Sequence, residues 1–218
     1  MDREGAWQLI EQERLSLAEL LSSLTPAEWE HPSLCTGWRV RDVAAHVALA
    51  PQPPSVWSML VEAMRARGSF DQLNHDVSVR HANRPGADLV AELRTHAASR
   101  RLPAVTNYRN ILFDILVHGQ DIAIPLGRQR VMPLDAAVAG VDRVWHAGWP
   151  FWARRRLAGF HLSATDVEWS AGSGWHEVRG PVSALLLLLT GRAAALDQLS
   201  GDGLAELSTR LSPVTNQP

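Results

Sequence analysis

The stretch DILVHGQDIAIPLGR, residues 114–128, sets three ionisable residues, Asp114, His118 and Asp121, into an otherwise oily run. A buried ionisable group is costly unless it is paired or bound to metal, so the arrangement calls either for chemistry or for partners. On a helix each residue turns by about 100°, which places His118 at about 40° and Asp121 at about −20° relative to Asp114. All three therefore project within one narrow sector. Ile, Leu, Phe and Val fill nearly every other side, the composition of a helix buried inside a bundle.

A carboxylate and an imidazole four residues apart are a common way to present two ligands to one divalent metal from a single helix. The third ligand has to come from another helix. His46 is the candidate, because Val43, His46, Val47 and Ala50 share a face and turn that histidine inward. Two histidines and one carboxylate leave a coordination position open, the arrangement of a catalytic site, and suit zinc or a similar ion accepting nitrogen and oxygen. The same residues admit a plainer reading. Asp114 and His118 can form a hydrogen-bonded helical pair, with Asp121 capping the helix or pairing with Arg128.

These side chains need a bundle to hold them. Trp7, Ile10, Arg14, Leu17, Leu20, Leu21 and Leu24 recur at helical spacing and predict an amphipathic helix over residues 4–24. After Thr25-Pro26 the segment AEWEHPSLCTGWRVRDVAAHVAL reads as a loop, HPSLCTG, followed by a helix from Val40 to Leu49 that ends at PQPP. Residues 55–67 form a third helix, and SFDQLNHDVSVRHANRPG reads as a polar, mobile connection. ADLVAELRTHAASRR and NILFDILVHGQDIAIPL are two further helical runs joined near Leu102-Pro103-Ala104, so about four principal helices account for residues 1–128.

Beyond GRQRVMP the pattern changes. A helix over 134–147 is followed by GFHLSATDVEWSAGSGWHEVRGP, whose alternation and turn at residues 171–174 predict two or three short strands in an antiparallel meander. The helical runs VSALLLLLTGR and AAALDQLSGDGLAELSTRL close the chain. The expected organisation is a bundle over 1–130, a small α+β domain over 131–212, and a frayed tail over 213–218.

The 218 residues carry a formal net charge of −2, which gives no electrostatic argument for nucleic acid, and the ARRR run at 153–156 reads as a solvated face. No apolar stretch is long enough to span a bilayer, SALLLLLTG included. The first residues lack a secretory pattern, which favours the cytoplasm. Every basic residue is arginine, the mark of a GC-rich bacterial genome.

LTPAEWEHPSLCTGWRVRDVAAHVA (24–48), LVHGQDIAIPLGR and RGPVSALLLLLTGRAAALDQLSGDG (179–203), in that order and spacing, resemble the mycothiol-dependent maleylpyruvate isomerase family along nearly the whole chain. The resemblance implies a DinB-like four-helix bundle ahead of a small α+β domain. It also implies a divalent metal, typically zinc, held by His46, Asp114 and His118, with Asp121 orienting His118 from outside the ligand set. The family's usual carboxylate is glutamate, so Asp114 is a departure. The implied cosubstrate is mycothiol. Its thiolate attacks an activated carbon of a small electrophilic or dicarboxylate substrate, giving cis–trans isomerisation or thiol transfer. Arg179 and Arg192, flanking the last motif, are the implied binders of substrate carboxylates. A monomer or a homodimer is expected.

Two other readings compete. One is a non-catalytic DinB-like protein that binds a ligand or partner and carries a weakened metal site. The other is a polar stripe that merely mediates dimerisation. Cys35 reads as a buried small residue without a neighbouring histidine. Trp29 and Trp38 lock the loop onto the bundle, Trp145, Trp149 and Trp152 read as domain-interface core, and the remaining histidines of loops and exposed helix faces, His75 among them, receive no function.

Overall fold

The computed structural model describes residues 1–52, 70–102 and 106–211. The chain divides into two compact units, Met1–Val131 and Met132–Pro218. The helix expected over 55–67 and the tail over 213–218 lie outside the described residues.

In the first unit α1 (Arg3–Ser22) starts at Asp2, whose carboxylate accepts from Gly5 N at 2.8 Å. A short α2 (Pro26–Trp29) is closed by a Thr25–Glu28 capping box. Next come α3 (Val40–Leu49), α4 (Phe70–His81), α5 (Gly86–Thr95) and α6 (Tyr108–Ala123), the last capped by Asn107. Leu17 and Leu21 of α1, Val43 and Val47 of α3, Val90 and Leu93 of α5, and Ile115 and Ile122 of α6 form one buried cluster. Among the described residues, four helices thus contribute to this core, as the 3.6-residue periodicity predicts.

One expectation is corrected. Residues 70–81 are not a mobile connection but the helix α4, which packs on α3. The polar composition hid it. Its inward face is built from Ser78, with Ala82 just beyond, both almost wholly buried, and tertiary packing overrides the weak local signal.

A buried ion pair ties the end of the unit to its start. Arg130 donates to Glu13 Oε2 at 2.6 Å, to Glu13 O and to Ser16 Oγ, and less than a tenth of either side chain of the pair is exposed. This explains Gly119, between His118 and Gln120. A Cβ there would lie 2.6 Å from Arg130 Nε. Burial raises the Glu13 pKa, and Arg130 opposes the rise. Arg130→Ala is therefore expected to cost about 3 kcal/mol in chemical denaturation, because it strands a buried carboxylate.

The second unit comprises α7 (Leu134–His146), α8 (Ala153–Arg156), β1 (Phe160–Ala164), β2 (Ser170–Ala171), β3 (His176–Gly180), α9 (Val182–Leu189), a 3-10 turn (Leu196–Gln198) and α10 (Leu204–Leu211). The buried run of α9 packs on α7, which accounts for SALLLLLTG without a membrane. No described helix is long and apolar enough to cross one.

The three-stranded sheet has the order β2-β1-β3 and is mixed, not wholly antiparallel. β1 runs antiparallel to β2 and parallel to β3. The turn at 171–174 carries the chain across the start of β1. A Cβ on Gly174 would sit 1.8 Å from Gly159 O, so only glycine permits that crossing. Trp149 and Trp152 are also corrected: they are 57% and 53% exposed, because the chain leaves the helix at Ala147 and their helical spacing has no helix to act on.

Candidate metal centre

Helices α3 and α6 bring His46, Asp114 and His118 together from residues far apart in the chain. His46 Nε2 lies 3.7 Å from Asp114 Oδ2, and His118 Nε2 lies 3.4 Å from Asp114 Oδ1. The two imidazole rings meet edge-on, 4.9 Å between centroids. Asp114 keeps 30% of its side-chain surface open, so the cluster is not sealed in the core.

A second group, Cys35, His118 and Asp121, shares His118. Distances separate the two. Ligands at the usual metal bond lengths of a tetrahedral ion stand about 3.3 Å apart or more. The separations between Asp114 and the two Nε2 atoms match that spacing and exceed a good hydrogen bond. In the other group His118 Nδ1 is 2.8 Å from Asp121 Oδ2, and Cys35 Sγ donates to the same oxygen at 3.1 Å. Those are hydrogen-bond distances. The donor set fits a divalent ion at His46, Asp114 and His118, with Asp121 behind it.

The outer nitrogens support the same orientation. Asp121, wholly buried, holds His118 Nδ1, and Ser78 Oγ on α4 approaches His46 Nδ1 at 3.5 Å. Each Nε2 is thereby left to face Asp114. Arg128 pairs with Glu28 at 2.8 Å.

The charges are strongly coupled. Burial penalises the Asp114 carboxylate, but the positive charge of His118 and the imidazole N–H groups of His118 and His46 turned toward it outweigh that and hold the carboxyl far below its usual range. Burial likewise opposes the charge on His118. The nearby Asp114 carboxylate, with hydrogen bonds to Asp121 and Cys35, overcomes burial and raises His118 well above the ordinary histidine range. Without metal, stability from protonated His118 is fully present below about pH 6.5 and is lost as pH rises through the raised folded value. Asp114 contributes above the ordinary carboxyl range, and that contribution is lost only as pH falls through its lowered folded value. A metal must displace the His118 proton, so its affinity strengthens with pH. Melting curves are expected to show the metal-free Tm falling above about pH 6.5 while the gain in Tm from added zinc widens. A gain independent of pH would contradict this coupling.

Several neighbours were not legible from spacing. The loop between α2 and α3 is closed by Pro32–Arg39 pairing and docked on α6 by Leu34 N, which donates to Asp121 O at 3.1 Å. It carries Cys35 to the His118–Asp121 side and Trp38 onto His46, 5.7 Å between centroids. The expectation that Cys35 lacks a neighbouring histidine is thus corrected: Sγ lies 3.8 Å from His118 Nδ1, a residue 83 positions away. Arg14 of α1 is buried and donates to the carbonyls of Ala97 and Ser99 at 3.0 and 2.8 Å; burial brings its pKa down to about 10, against the opposing pull of the Asp114 charge.

Arg179 and Arg192 belong to the second unit. Arg179, on β3, is half exposed and pairs with Glu177 at 2.7 Å. Arg192 follows α9 and donates to Thr190 O at 2.7 Å, near Arg156, whose pKa is lowered by burial and by the charge of Arg192.

The fold and the cluster define a helical bundle with a site suited to a divalent metal, followed by a small α+β unit. Residues 10–108 match the model of the mycothiol maleylpyruvate isomerase N-terminal domain. Among solved structures the chain is similar to the mycothiol-dependent maleylpyruvate isomerase, at 15% identity and a TM-score of 0.61, over 92% of this chain and 93% of that one. A histidine-to-alanine mutant of the mycothiol-dependent maleylpyruvate isomerase matches equally, at 15% identity, a TM-score of 0.62 and the same coverage. At that identity the likeness is one of fold. No curated protein matches the chain in sequence.

Proposed function

We propose that the protein is a metal-dependent enzyme that uses mycothiol, acting as an isomerase of maleylpyruvate type or as a thiol transferase on an electrophilic small molecule. One observation carries the reading: the Nε2 atoms of His46 and His118 converge on the Asp114 carboxylate, while their Nδ1 atoms are engaged from outside by Ser78 and Asp121. His46, Asp114 and His118 would hold zinc, which when bound lowers the pKa of a thiol and favours its thiolate near neutral pH.

The chain's own residues do the rest. Asp121 fixes the His118 tautomer by accepting from Nδ1–H, and Trp38 buttresses His46. The thiolate adds to an activated carbon of the substrate. If it is expelled after rotation about the former double bond, the product is the trans isomer; if it stays, the product is a thioether. Arg179 and Arg192 are the candidate binders of a substrate carboxylate, each offering a planar pair of donors. The family resemblance of the bundle supports mycothiol as the thiol, and a cytoplasmic location belongs to the same proposal.

The test is a thiol-consumption assay with mycothiol, maleylpyruvate and a panel of electrophiles, run before and after chelation. Turnover that disappears on chelation and returns with zinc is expected. Turnover indifferent to chelation would contradict the proposal.

A further inference from the structure

The helix that the sequence disguises as a connection carries a further group to the site. On α4, His75 and Ser78 are three residues apart and share a face. Ser78 approaches His46, and the His75 ring stands edge-on to Trp38, 5.9 Å between centroids at 73°. Trp38 packs in the same manner on His46, and His46 on His118. His75, Trp38, His46 and His118 therefore form a row of rings along one side of the site.

Ionising a thiol near neutral pH leaves a proton that needs an acceptor. His46 and His118 both direct Nε2 at Asp114 and Nδ1 at Ser78 or Asp121, so neither has a nitrogen to spare. Asp114 is a candidate ligand, and Asp121 is sealed off. His75 differs from all of these: its side chain is 39% exposed, and its Nδ1 faces Asp76 Oδ1 at 3.2 Å, which leaves Nε2 to exchange a proton. A carboxylate behind an imidazole fixes the tautomer and stabilises the imidazolium. Asp76 suits that role, because hydrogen bonds from His75 and from Gln72 hold its carboxyl below the usual range. Among the described residues, the other charged group near the pair on α4 is Arg80. From α3 the facing titratable group is His46, across Trp38.

The geometry points to His75, backed by Asp76, as the proton acceptor for the cosubstrate thiol, an assignment that rests on the thiol-dependent reading above. The thiol S–H bond breaks and its electron pair stays on sulfur. The proton passes to the half-exposed His75 Nε2 through water. It returns to sulfur when the thiol is expelled after isomerisation, or goes to solvent after transfer.

The experiment compares zinc-loaded wild type with His75→Gln and Asp76→Asn by three readouts: metal content, proton release to an indicator on adding mycothiol, and the pH profile of thiol consumption. His75→Gln is expected to keep its zinc and to approach wild-type rates at alkaline pH. Near neutrality it should be slower by roughly 100-fold, in the range of general-base contributions, and be partly rescued by raising the concentration of a small buffer base. Asp76→Asn should show a smaller loss in the same direction. A variant with an unchanged profile, or one that loses its metal, overturns the role of His75 alone. A wild type that takes up zinc but releases no proton on meeting mycothiol overturns the thiol reading, and this assignment with it.

Discussion

His46→Ala and His118→Ala are each expected to abolish stoichiometric metal binding and, with it, thiol-dependent turnover. Both imidazoles direct Nε2 at the same carboxylate, so either truncation leaves two donors, one short of the three protein ligands usual in catalytic zinc sites. The two variants should differ in stability. His118 sits deeper and bonds the wholly buried Asp121, so His118→Ala also removes one hydrogen bond from that buried carboxylate and should unfold at lower denaturant concentration than His46→Ala. Elemental analysis and denaturation of the two purified variants check both halves. Full metal occupancy in both would remove the site assignment.

Asp114→Asn is the second change with a large effect. The substitution keeps the size of the side chain and deletes the charge that lifts His118 and binds both imidazoles. Metal affinity should fall by more than the roughly 10–100-fold typical of losing an outer hydrogen-bond partner. The loss of metal-free stability above the ordinary histidine range should shrink as well, because His118 loses the Asp114 counter-charge and keeps only its bonds to Asp121 and Cys35. Asp114→Glu tests the departure from the family's usual glutamate. The aspartate oxygens already lie 3.4 and 3.7 Å from the two Nε2 atoms. An extra methylene at the same backbone position pushes the carboxylate into the rings, so weaker binding is expected, not stronger. A competition titration against a chelator of known affinity measures all three proteins.

The helical half of this account is legible from pattern alone. The spacing of Ile10, Leu17 and Leu21, and of Val43 and Val47, forecasts which faces enter the core, and the polar sector of residues 114–121 forecasts which side chains face inward. His46 could be paired with Asp114 because it is the inward-facing histidine of a bundle helix. Contacts made through loops and across helices were not legible. Cys35 reaches Asp121 by the folding of a loop, and no periodicity encodes that. α4 was hidden for a different reason: its buried face is small and polar, so hydrophobic pattern has nothing to count there, and His75 and Ser78 went unread with it. The parallel pairing of β1 with β3 was lost because alternation reveals strands but not their order. Gly172 and Gly174 carry the local signal for that crossing, and it is read only once the backbone they pass is known.

The most direct measurement is the metal content of the purified wild-type protein after exhaustive dialysis, with Tm followed as zinc is restored to the chelated form. About one divalent ion per chain is expected, with a Tm that rises to a plateau at one equivalent of zinc. A protein that holds no metal, and whose Tm is unmoved by zinc at any pH where it is folded, would contradict the central claim that His46, Asp114 and His118 form a metal site.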